Sequence, residues 1–269
     1  MNKILYFLIF FFLINSGLQA AVFYVSSSTG SDSYNSSQAK NPATPWKTLA
    51  KIGLSWSVIN PGDSILFKRG DTFSGTLKIT KSGTPGHPIT IGAYGSGTEK
   101  PVIDGRLLLD NWVNLGGNIW ETSNVGLTSQ PSALTINDVL EPLGRYPNID
   151  APNRGYLTIS SHPTGSKTTF TDNTLPASPN WTGAEVVVRN AHWVLNRITA
   201  SSHSGQTITL SSSAYYEIKN GTGYFFQNHP ATLDRDGEWC YLAADKKVRI
   251  YSATDPNTKT IKVTNIDKF

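Results

Sequence analysis

A series of evenly spaced apolar residues between Pro61 and Gly105 constrains the fold more than any other feature of the sequence. The same step along the chain leads from Phe67 to Ile79, from Ile79 to Ile91, and from Ile91 to Ile103. Gly, Pro, Asp, Ser and Thr, which turns require, separate the apolar runs. A fixed step across several short strands predicts a stacked solenoid, with two steps, about 24 residues, in each coil of a parallel β-helix. An antiparallel meander has a similar strand spacing and is the alternative that spacing alone leaves open.

Several segments of the chain are similar to a known family. These segments are 23–26, 46–49, 61–79, 83–91, 100–105, 144–148 and 233–239. Together they resemble the opening of secreted right-handed parallel β-helix proteins of the pectate-lyase-like superfamily, which includes polysaccharide lyases and glycoside hydrolases. The resemblance implies an all-β chain that binds polysaccharide. Its motifs are specific for the fold and do not select one reaction.

Residues 1–20 have the pattern of a secretory signal peptide. Lys3 supplies the positive charge, residues 4–14 are continuously apolar, and Ala20 is a small residue suited to cleavage. The apolar run is shorter than the roughly 20 residues that a membrane span needs. We therefore predict a secreted bacterial protein, extracellular or periplasmic, without a membrane contact after signal cleavage. An uncleaved anchor is the alternative.

The charge balance and cysteine content exclude some classes of protein. The 23 Lys and Arg residues exceed the 19 Asp and Glu residues by four, and the charges are scattered along the chain. A nucleic-acid-binding protein usually clusters its cations, so we predict no nucleic-acid partner. Mild basicity suits an acidic polysaccharide. Cys240 is the only cysteine, which excludes an intramolecular disulfide.

A short helix is predicted before the apolar series. Thr44 is suited to cap it and Pro45 to occupy its first position. Leu49, Ile52 and Trp56 fall on one face of such a helix. A solenoid leaves an open hydrophobic end, so we interpret this segment, within domain 21–105, as the N-terminal cap helix ahead of the first β-helix coils.

After Gly105 the regular step is lost. Residues 106–260 contain many short strand patterns, which predict a β-rich inserted domain of barrel or sandwich character. The clearest strand patterns are 185–189, 191–200, 207–210, 223–227, 238–242 and 248–252. Two hairpins are predicted, one turning at Asp236-Gly237 and the other at residues 245–247.

The last residues, 261–269, are interpreted as the start of a return to the β-helix. Two coils are too few for a stable solenoid, because each repeat buries its apolar face on its neighbours. We therefore expect this chain to be a fragment of a longer protein. A complete small β protein is the alternative.

Motifs for covalent acyl transfer, zinc hydrolysis and nucleotide binding are absent from the sequence. Asp234, Asp236 and Glu238 place three carboxylates close together in the chain, and calcium binds oxygen ligands of this kind. Their spacing matches no known calcium loop, and Asp236-Gly237 is explained by a hairpin turn. We predict no cofactor and no metal site. A bound calcium ion is expected only if the protein is a lyase.

Four residues are candidates for carbohydrate contact. Arg145 has a planar guanidinium that grips a uronic acid carboxylate, and Tyr146 beside it offers a ring for a sugar to stack on. The alternative is structural, with Arg145 paired to an internal Asp. His192 and Trp193 lie in a predicted strand, where alternation places one inside and one outside. Trp193 is favoured as the core residue of the two.

No catalytic residue is assigned. The resemblance implies that catalytic groups lie on middle coils, which this chain lacks. We therefore predict the N-terminal part of a polysaccharide lyase or glycoside hydrolase. A non-catalytic adhesion or carbohydrate-binding β-helix protein is the alternative. Substrate, bond type and oligomeric state stay open.

Overall fold

The computed structural model describes residues 20–122, 127 and 129–265 of the 269-residue chain. The predicted signal peptide, apart from Ala20, lies outside the described residues. Strands make up most of the regular structure, which confirms the all-β prediction. No helix in the described ranges is both long and apolar enough to cross a bilayer. The chain divides into two compact units, the first ending at Gly105 and the second beginning at Arg106.

The first unit is built from parallel strands. Its elements are β1 (Val22–Val25), α1 (Leu49–Leu54), β2 (Ser64–Lys68), β3 (Thr72–Ser74), β4 (Thr90–Tyr94) and β5 (Val102–Asp104), with 3₁₀ turns at Gln38–Lys40 and Trp56–Val58. Strands β1, β2 and β4 form one parallel sheet, and β3 pairs in parallel with β5. The antiparallel meander is therefore wrong for this unit.

The predicted regular step is also wrong, because one member of the series lies outside the strands. Ile79 is exposed in the connection between β3 and β4, where the Trp56 indole donates a hydrogen bond to the Lys78 carbonyl at 2.8 Å. The parallel register pairs Ile65 with Ile91, whereas two regular steps from Ile65 would lead to Ile89. Equal spacing along the chain therefore did not correspond to equal spacing between paired strands.

The first unit has its own hydrophobic core. Phe23 stacks on Trp46 with ring centroids 5.2 Å apart. Leu49, Ile52 and Trp56 are buried together, as the helical pattern predicts. The helix begins later than expected, because Thr48 rather than Thr44 accepts the capping hydrogen bond. Trp46 forms an isolated parallel bridge with Val25 of β1.

The second unit is antiparallel throughout its described strands. In chain order these are β6 (Arg106–Leu109), β7 (Val113–Gly116), β8 (Ile119–Glu121), β9 (Leu134–Ile136), β10 (Val139–Glu141), β11 (Arg145–Tyr146), β12 (Leu157–Thr158), β13 (Thr169–Thr171), β14 (Glu185–Ala191), β15 (Val194–Ser204), β16 (Thr207–Leu210), β17 (Gly223–Gln227), β18 (Trp239–Leu242), β19 (Lys247–Tyr251) and β20 (Ile261–Thr264). The short helix α2 (Pro152–Gly155) includes Asn153 and Arg154 at φ 57°, in the left-handed region. Two 3₁₀ turns occupy Pro230–Thr232 and Pro256–Thr258.

Three sheets form this unit. Two four-stranded sheets, ordered β10-β9-β20-β6 and β18-β19-β8-β7, share one hydrophobic core that includes Trp112, Trp239 and Ile261. Strand β20 lies between β9 and β6, so the segment expected to begin a return to parallel coils is paired within this unit. Its alternating burial, Ile261 and Val263 inside, matches an antiparallel sheet with one face on a core.

The third sheet is the largest and carries the remaining core. Its order is β11-β17-β14-β15-β16-β13, with β12 also paired to β17. One face packs Val186, Val188 and Phe226 around the fully buried Trp181. The Trp181 ring stacks on Phe226 with centroids 4.4 Å apart and an interplanar angle of 5°. The β14–β15 hairpin belongs to this sheet.

Candidate functional site

The turn that joins β14 to β15 exposes an aromatic side chain to solvent. Ala191 pairs with Val194, so His192 and Trp193 are the two turn residues between the strands. Trp193 is 76% exposed and His192 is also exposed. The prediction that Trp193 enters the core is wrong, because strand alternation does not apply within a tight turn. The Trp193 indole is therefore accessible to a ligand.

A cleft of about 630 Å³ opens beside this turn. The residues that line it come from β14, the turn, the segment before β17 and the first residue of β17. They are Arg189, Asn190, Ala191, His192, Trp193, Tyr216, Glu217, Lys219, Gly221, Thr222 and Gly223. Its volume is in the range of small-molecule sites, and its lining combines aromatic with polar groups, as in such sites.

Aromatic rings form one wall of the cleft. The Trp193 and Tyr216 rings meet edge to face, with centroids 6.4 Å apart at 86°. Tyr215 packs edge to face on Tyr216 at 4.7 Å and is itself 70% exposed. Both tyrosines and the tryptophan thus offer ring surface together with a polar group that donates hydrogen bonds.

Two asparagines hold this wall in place. Buried Asn190 donates to the Tyr216 carbonyl at 2.6 Å. Asn196 donates to the Asn190 side-chain oxygen at 2.7 Å, and its own oxygen accepts from the Tyr215 amide at 2.9 Å. The hydrogen bonds join the β14–β15 hairpin to the loop that carries the tyrosines. The aromatic wall is therefore pre-organised, which lowers the entropy cost of binding.

The charged residues of the cleft are Arg189, Lys219 and Glu217. The Arg189 guanidinium donates to the His192 carbonyl at 3.2 Å, which fixes it across the hairpin turn. One Glu217 carboxylate oxygen accepts from the Gly165 amide at 2.8 Å. Two cations and one carboxylate leave the lining with a net positive charge.

A second cleft of about 490 Å³ lies on the same hairpin. It is lined by Tyr156, Arg189, His192, Trp193, Val194 and Leu195. Arg189, His192 and Trp193 line both clefts, so the two form neighbouring parts of one surface around the turn. We call this surface, with both linings, the hairpin cleft.

The other two predicted contact residues, Arg145 and Tyr146, occupy structural positions. The Arg145 guanidinium lies 3.8 Å from the centre of the Phe225 ring and donates to the Gly155 carbonyl at 2.7 Å. Burial lowers the pKa of this guanidinium from its usual value. Arg145 thus stacks on aromatic rings and caps a backbone carbonyl, in place of the internal Asp pairing considered from the sequence.

Tyr146 extends the core of the large sheet. Its ring stacks on Trp181 with centroids 4.9 Å apart. The predicted set therefore separates into a core pair, Arg145 and Tyr146, and a surface pair, His192 and Trp193. Tyr156 connects them, because Arg145 lies 5.3 Å from the Tyr156 ring and Tyr156 lines the hairpin cleft.

The acidic turn at residues 234–238 holds backbone amides. One Glu238 oxygen accepts from the amides of Asp234 and Arg235 at 2.9 and 3.1 Å. Asp236 accepts from the Ala253 amide at 2.8 Å.

The hairpin predicted at Asp236-Gly237 is wrong, because residues 230–232 form a 3₁₀ turn and no described strand precedes β18 there. The other predicted hairpin is confirmed, since β18 pairs with β19 across the turn at residues 245–247. Among the described residues, no group of three His, Cys, Asp or Glu is placed to hold a metal.

Arg189, Tyr216 and Lys219 were not among the contact residues predicted from the sequence. Tyr216 and Lys219 lie far from Arg189 along the chain, and no local pattern links them. The strand order β17-β14-β15 brings these residues into one lining. Adjacent tyrosines in a polar segment, Tyr215 and Tyr216, were the one signal available in the sequence.

The fold and the site together define an all-β chain with an exposed aromatic cleft. The known proteins to which it is similar are glycoside hydrolases. No protein-family model matches the chain. Over 110 residues it is 37% identical to a lacto-N-biosidase from Bifidobacterium longum subsp. longum, across 39% of this chain and 6% of that protein. The chain thus spans a small part of this curated relative.

Solved structures show a similar relationship. A glycoside hydrolase superposes with a TM-score of 0.68 at 16% identity, over 93% of this chain and 47% of that chain. This likeness shows a shared fold. A GH136 lacto-N-biosidase from Eubacterium ramulus aligns at 34% identity over 34% of this chain and 14% of its own, with a TM-score of 0.27. The proteins that this chain resembles are therefore glycoside hydrolases.

Proposed function

We propose that the chain is the N-terminal part of a secreted parallel β-helix protein that binds and degrades glycan, and that the hairpin cleft is a carbohydrate-contact site. The observation that carries the proposal is the exposed Trp193 ring beside Tyr216 in a pre-organised cleft whose lining also includes polar groups. Its relatives are glycoside hydrolases, which favours hydrolysis over the lyase reaction. A calcium requirement belongs only to the lyase alternative.

The open end of the parallel stack supports the β-helix proposal. Ile65 and Phe73 are buried, whereas their register partners in the next coil, Ile91 and Ile103, are 39% and 44% exposed. Strands β4 and β5 are the last strands of their sheets in the described part of the chain. A third coil that packs on Ile91 and Ile103 would bury these side chains and pair both strand edges.

Sequencing the gene beyond the codon for Phe269 tests this part of the proposal. We expect further short apolar strands at a spacing close to that between β2 and β4. A stop codon directly after Phe269 would contradict it and favour a small, self-contained β protein.

The chemistry of the hairpin cleft suits sugar rings. A pyranose has a face of C–H groups that packs on an aromatic ring and an equatorial rim of hydroxyls that needs hydrogen-bond partners. Trp193 supplies the ring, and Arg189, Glu217 and Lys219 supply donors and acceptors at the same surface. Exposed tryptophan next to fixed polar groups is the composition expected of such a site.

We place the catalytic step outside this cleft. Glycoside hydrolysis needs two carboxyl groups about 5–10 Å apart on either side of the scissile bond. Of the residues that line the two described clefts, Glu217 is the one carboxylate, and the Gly165 amide engages it. The proposed role of this unit is therefore to hold the glycan, while residues of the further coils cleave it.

A glycan array followed by product analysis tests the proposal. The purified chain should bind a restricted set of oligosaccharides. Trp193→Ala should weaken that binding by about tenfold, a loss of about 1.4 kcal/mol, because it removes the aromatic surface on which the sugar ring packs. Leu140→Ala, which truncates an equally exposed apolar side chain on another sheet, is the matched control and should bind normally. Absence of glycan binding, or equal binding by the Trp193 variant, would refute the proposed site.

The second candidate function is a non-catalytic adhesion or carbohydrate-binding protein. The single carboxylate of the hairpin cleft favours it, because binding needs no acid–base pair. Release of new reducing ends from a bound glycan by the longer protein would support hydrolysis. Stable binding without any product would support the adhesion alternative.

A further inference from the structure

The hairpin cleft is lined by more cationic than anionic side chains. Arg189 and Lys219 line the larger cleft together with one carboxylate, Glu217. In the smaller cleft, Arg189 is the one charged side chain of the lining. A neutral sugar would not require two cations beside its stacking ring, whereas an anionic sugar would be attracted by both.

Arg189 is held in a position to act as a binding group. Its contact with the His192 carbonyl at 3.2 Å uses one of its N–H donors and fixes the guanidinium next to Trp193. The remaining donors form a planar fork that matches the oxygens of a carboxylate or sulfate. Fixing the fork before binding reduces the side-chain entropy lost in the complex.

Lys219 and Glu217 set the balance of charge. Within the described residues, no hydrogen bond or ion pair occupies the Lys219 ammonium, so this cation is available to a ligand. The Gly165 amide holds one oxygen of Glu217 at 2.8 Å. The lining therefore carries one net positive charge.

We propose that the hairpin cleft selects a sugar residue that carries an anionic substituent, with the ring on Trp193 and the anion held by Arg189 and Lys219. This inference rests on the proposed function, because it names the glycan class for the same site. Two sugar chemistries supply such an anion, a uronate carboxylate and a sulfate ester. The test separates them.

Calorimetric titration of the full chain against matched oligosaccharide pairs tests the inference. The uronate arm uses glucuronate, galacturonate and mannuronate oligomers with their carboxyl-reduced counterparts. The sulfate arm uses sulfated oligosaccharides with their desulfated counterparts. We expect at least one anionic member to bind about tenfold or more tighter than its neutral partner, with affinity that falls as salt increases. The arm that shows the preference identifies the anion.

Three variants test the assignment of charges. Arg189→Gln and Lys219→Gln should each reduce the affinity for the anionic member by about tenfold and reduce the affinity for its neutral partner by a clearly smaller factor, so that the anionic preference shrinks. Glu217→Gln removes the repelling carboxylate and should strengthen anionic binding. A general loss of structure would weaken binding in all three variants, so a gain in affinity for Glu217→Gln and a loss for the other two would not result from it. Lys219 is exposed, so its variant stays informative if the Arg189 variant misfolds.

Each outcome has a distinct meaning. Equal or tighter binding of the neutral partners overturns this inference and leaves the proposed carbohydrate site in place. Failure of every oligosaccharide to bind overturns both. Anionic preference that survives Arg189→Gln and Lys219→Gln also overturns the inference, since the anion would then be held elsewhere.

Discussion

The buried hydrogen bond between Tyr224 and Asp172 stabilises the second unit, and its removal has a predictable effect. The Tyr224 hydroxyl donates to one Asp172 oxygen at 2.9 Å, and both residues are almost inaccessible to solvent. The other Asp172 oxygen accepts from the Thr174 amide and hydroxyl at 2.8 and 2.7 Å. Burial, together with the Asp172 charge, raises the pKa of Tyr224 far above its usual value, so the hydroxyl stays protonated.

Tyr224→Phe removes the donor and keeps the ring. One oxygen of a buried carboxylate then lacks its partner, and hydrogen bonds to charged groups contribute about 1.5–3 kcal/mol. We therefore expect the free energy of unfolding of this unit to fall by about 2–3 kcal/mol. For a unit of this size, that corresponds to a decrease in Tm of roughly 5–10 °C.

A double-mutant cycle with Asp172→Asn measures the pair directly. Chemical denaturation followed by tryptophan fluorescence gives the free energy of unfolding of each variant. In the Asp172→Asn background the buried group is neutral, so Tyr224→Phe should cost at least about 1 kcal/mol less than in the wild type. A cost below about 0.5 kcal/mol in the wild type, or equal costs in both backgrounds, would refute the argument.

Three further predictions concern the first unit and the single cysteine. Gly30→Ala should strongly destabilise the first unit in thermal melts, because a Cβ there would collide with the carbonyl oxygens of Ser26 and Trp46. Gly53→Ala is the control. A Cβ at this position of α1 meets no neighbouring atom, so this substitution should be neutral or stabilising. Burial raises the pKa of the Cys240 thiol to about 12, so a thiol reagent under mildly alkaline conditions should label it only after unfolding. Burial opposes ionisation of Asp71, but hydrogen bonds including one from Ser26 outweigh it and lower the pKa of this carboxyl. Its stabilising contribution is therefore present above about pH 4 and lost as the pH falls further, and Asp71→Asn should flatten that acid dependence of the unfolding free energy.

Local sequence patterns predicted several individual strands of the second unit. Strand patterns at 207–210 and 223–227 match β16 and β17 residue for residue. Alternation in these segments reflects one buried face, which is a local property of each strand. The turn between β18 and β19 was likewise visible in the sequence.

Properties that depend on distant contacts were not predictable in the same way. Ile79 belongs to the apolar series by spacing, yet it lies exposed between strands. Ile65 pairs with Ile91 rather than with Ile89, so the paired residues lie two positions further apart in the chain than two regular steps predict. The spacing of apolar residues alone contains no information about the length of the connection between β3 and β4.

The candidate site was likewise only partly predictable from the sequence. His192 and Trp193 were found from their residue types, but their exposure depends on the turn being so short. Arg189 and Lys219 meet in one lining only after β17 pairs with β14. Arg145 was a reasonable candidate by type, and the aromatic rings that engage it are contributed by residues outside its own segment.

Hydroxyl-radical footprinting read by mass spectrometry, with and without a saturating bound oligosaccharide, tests the central claim most directly. In the free chain, Trp193 and Tyr216 should be oxidised, whereas buried Trp181 and Trp239 should not be. Bound glycan should protect Trp193 and Tyr216 and leave exposed Leu140 unprotected. Protection of another surface, with Trp193 oxidised as fast as in the free chain, would contradict the assignment of the hairpin cleft as the carbohydrate site.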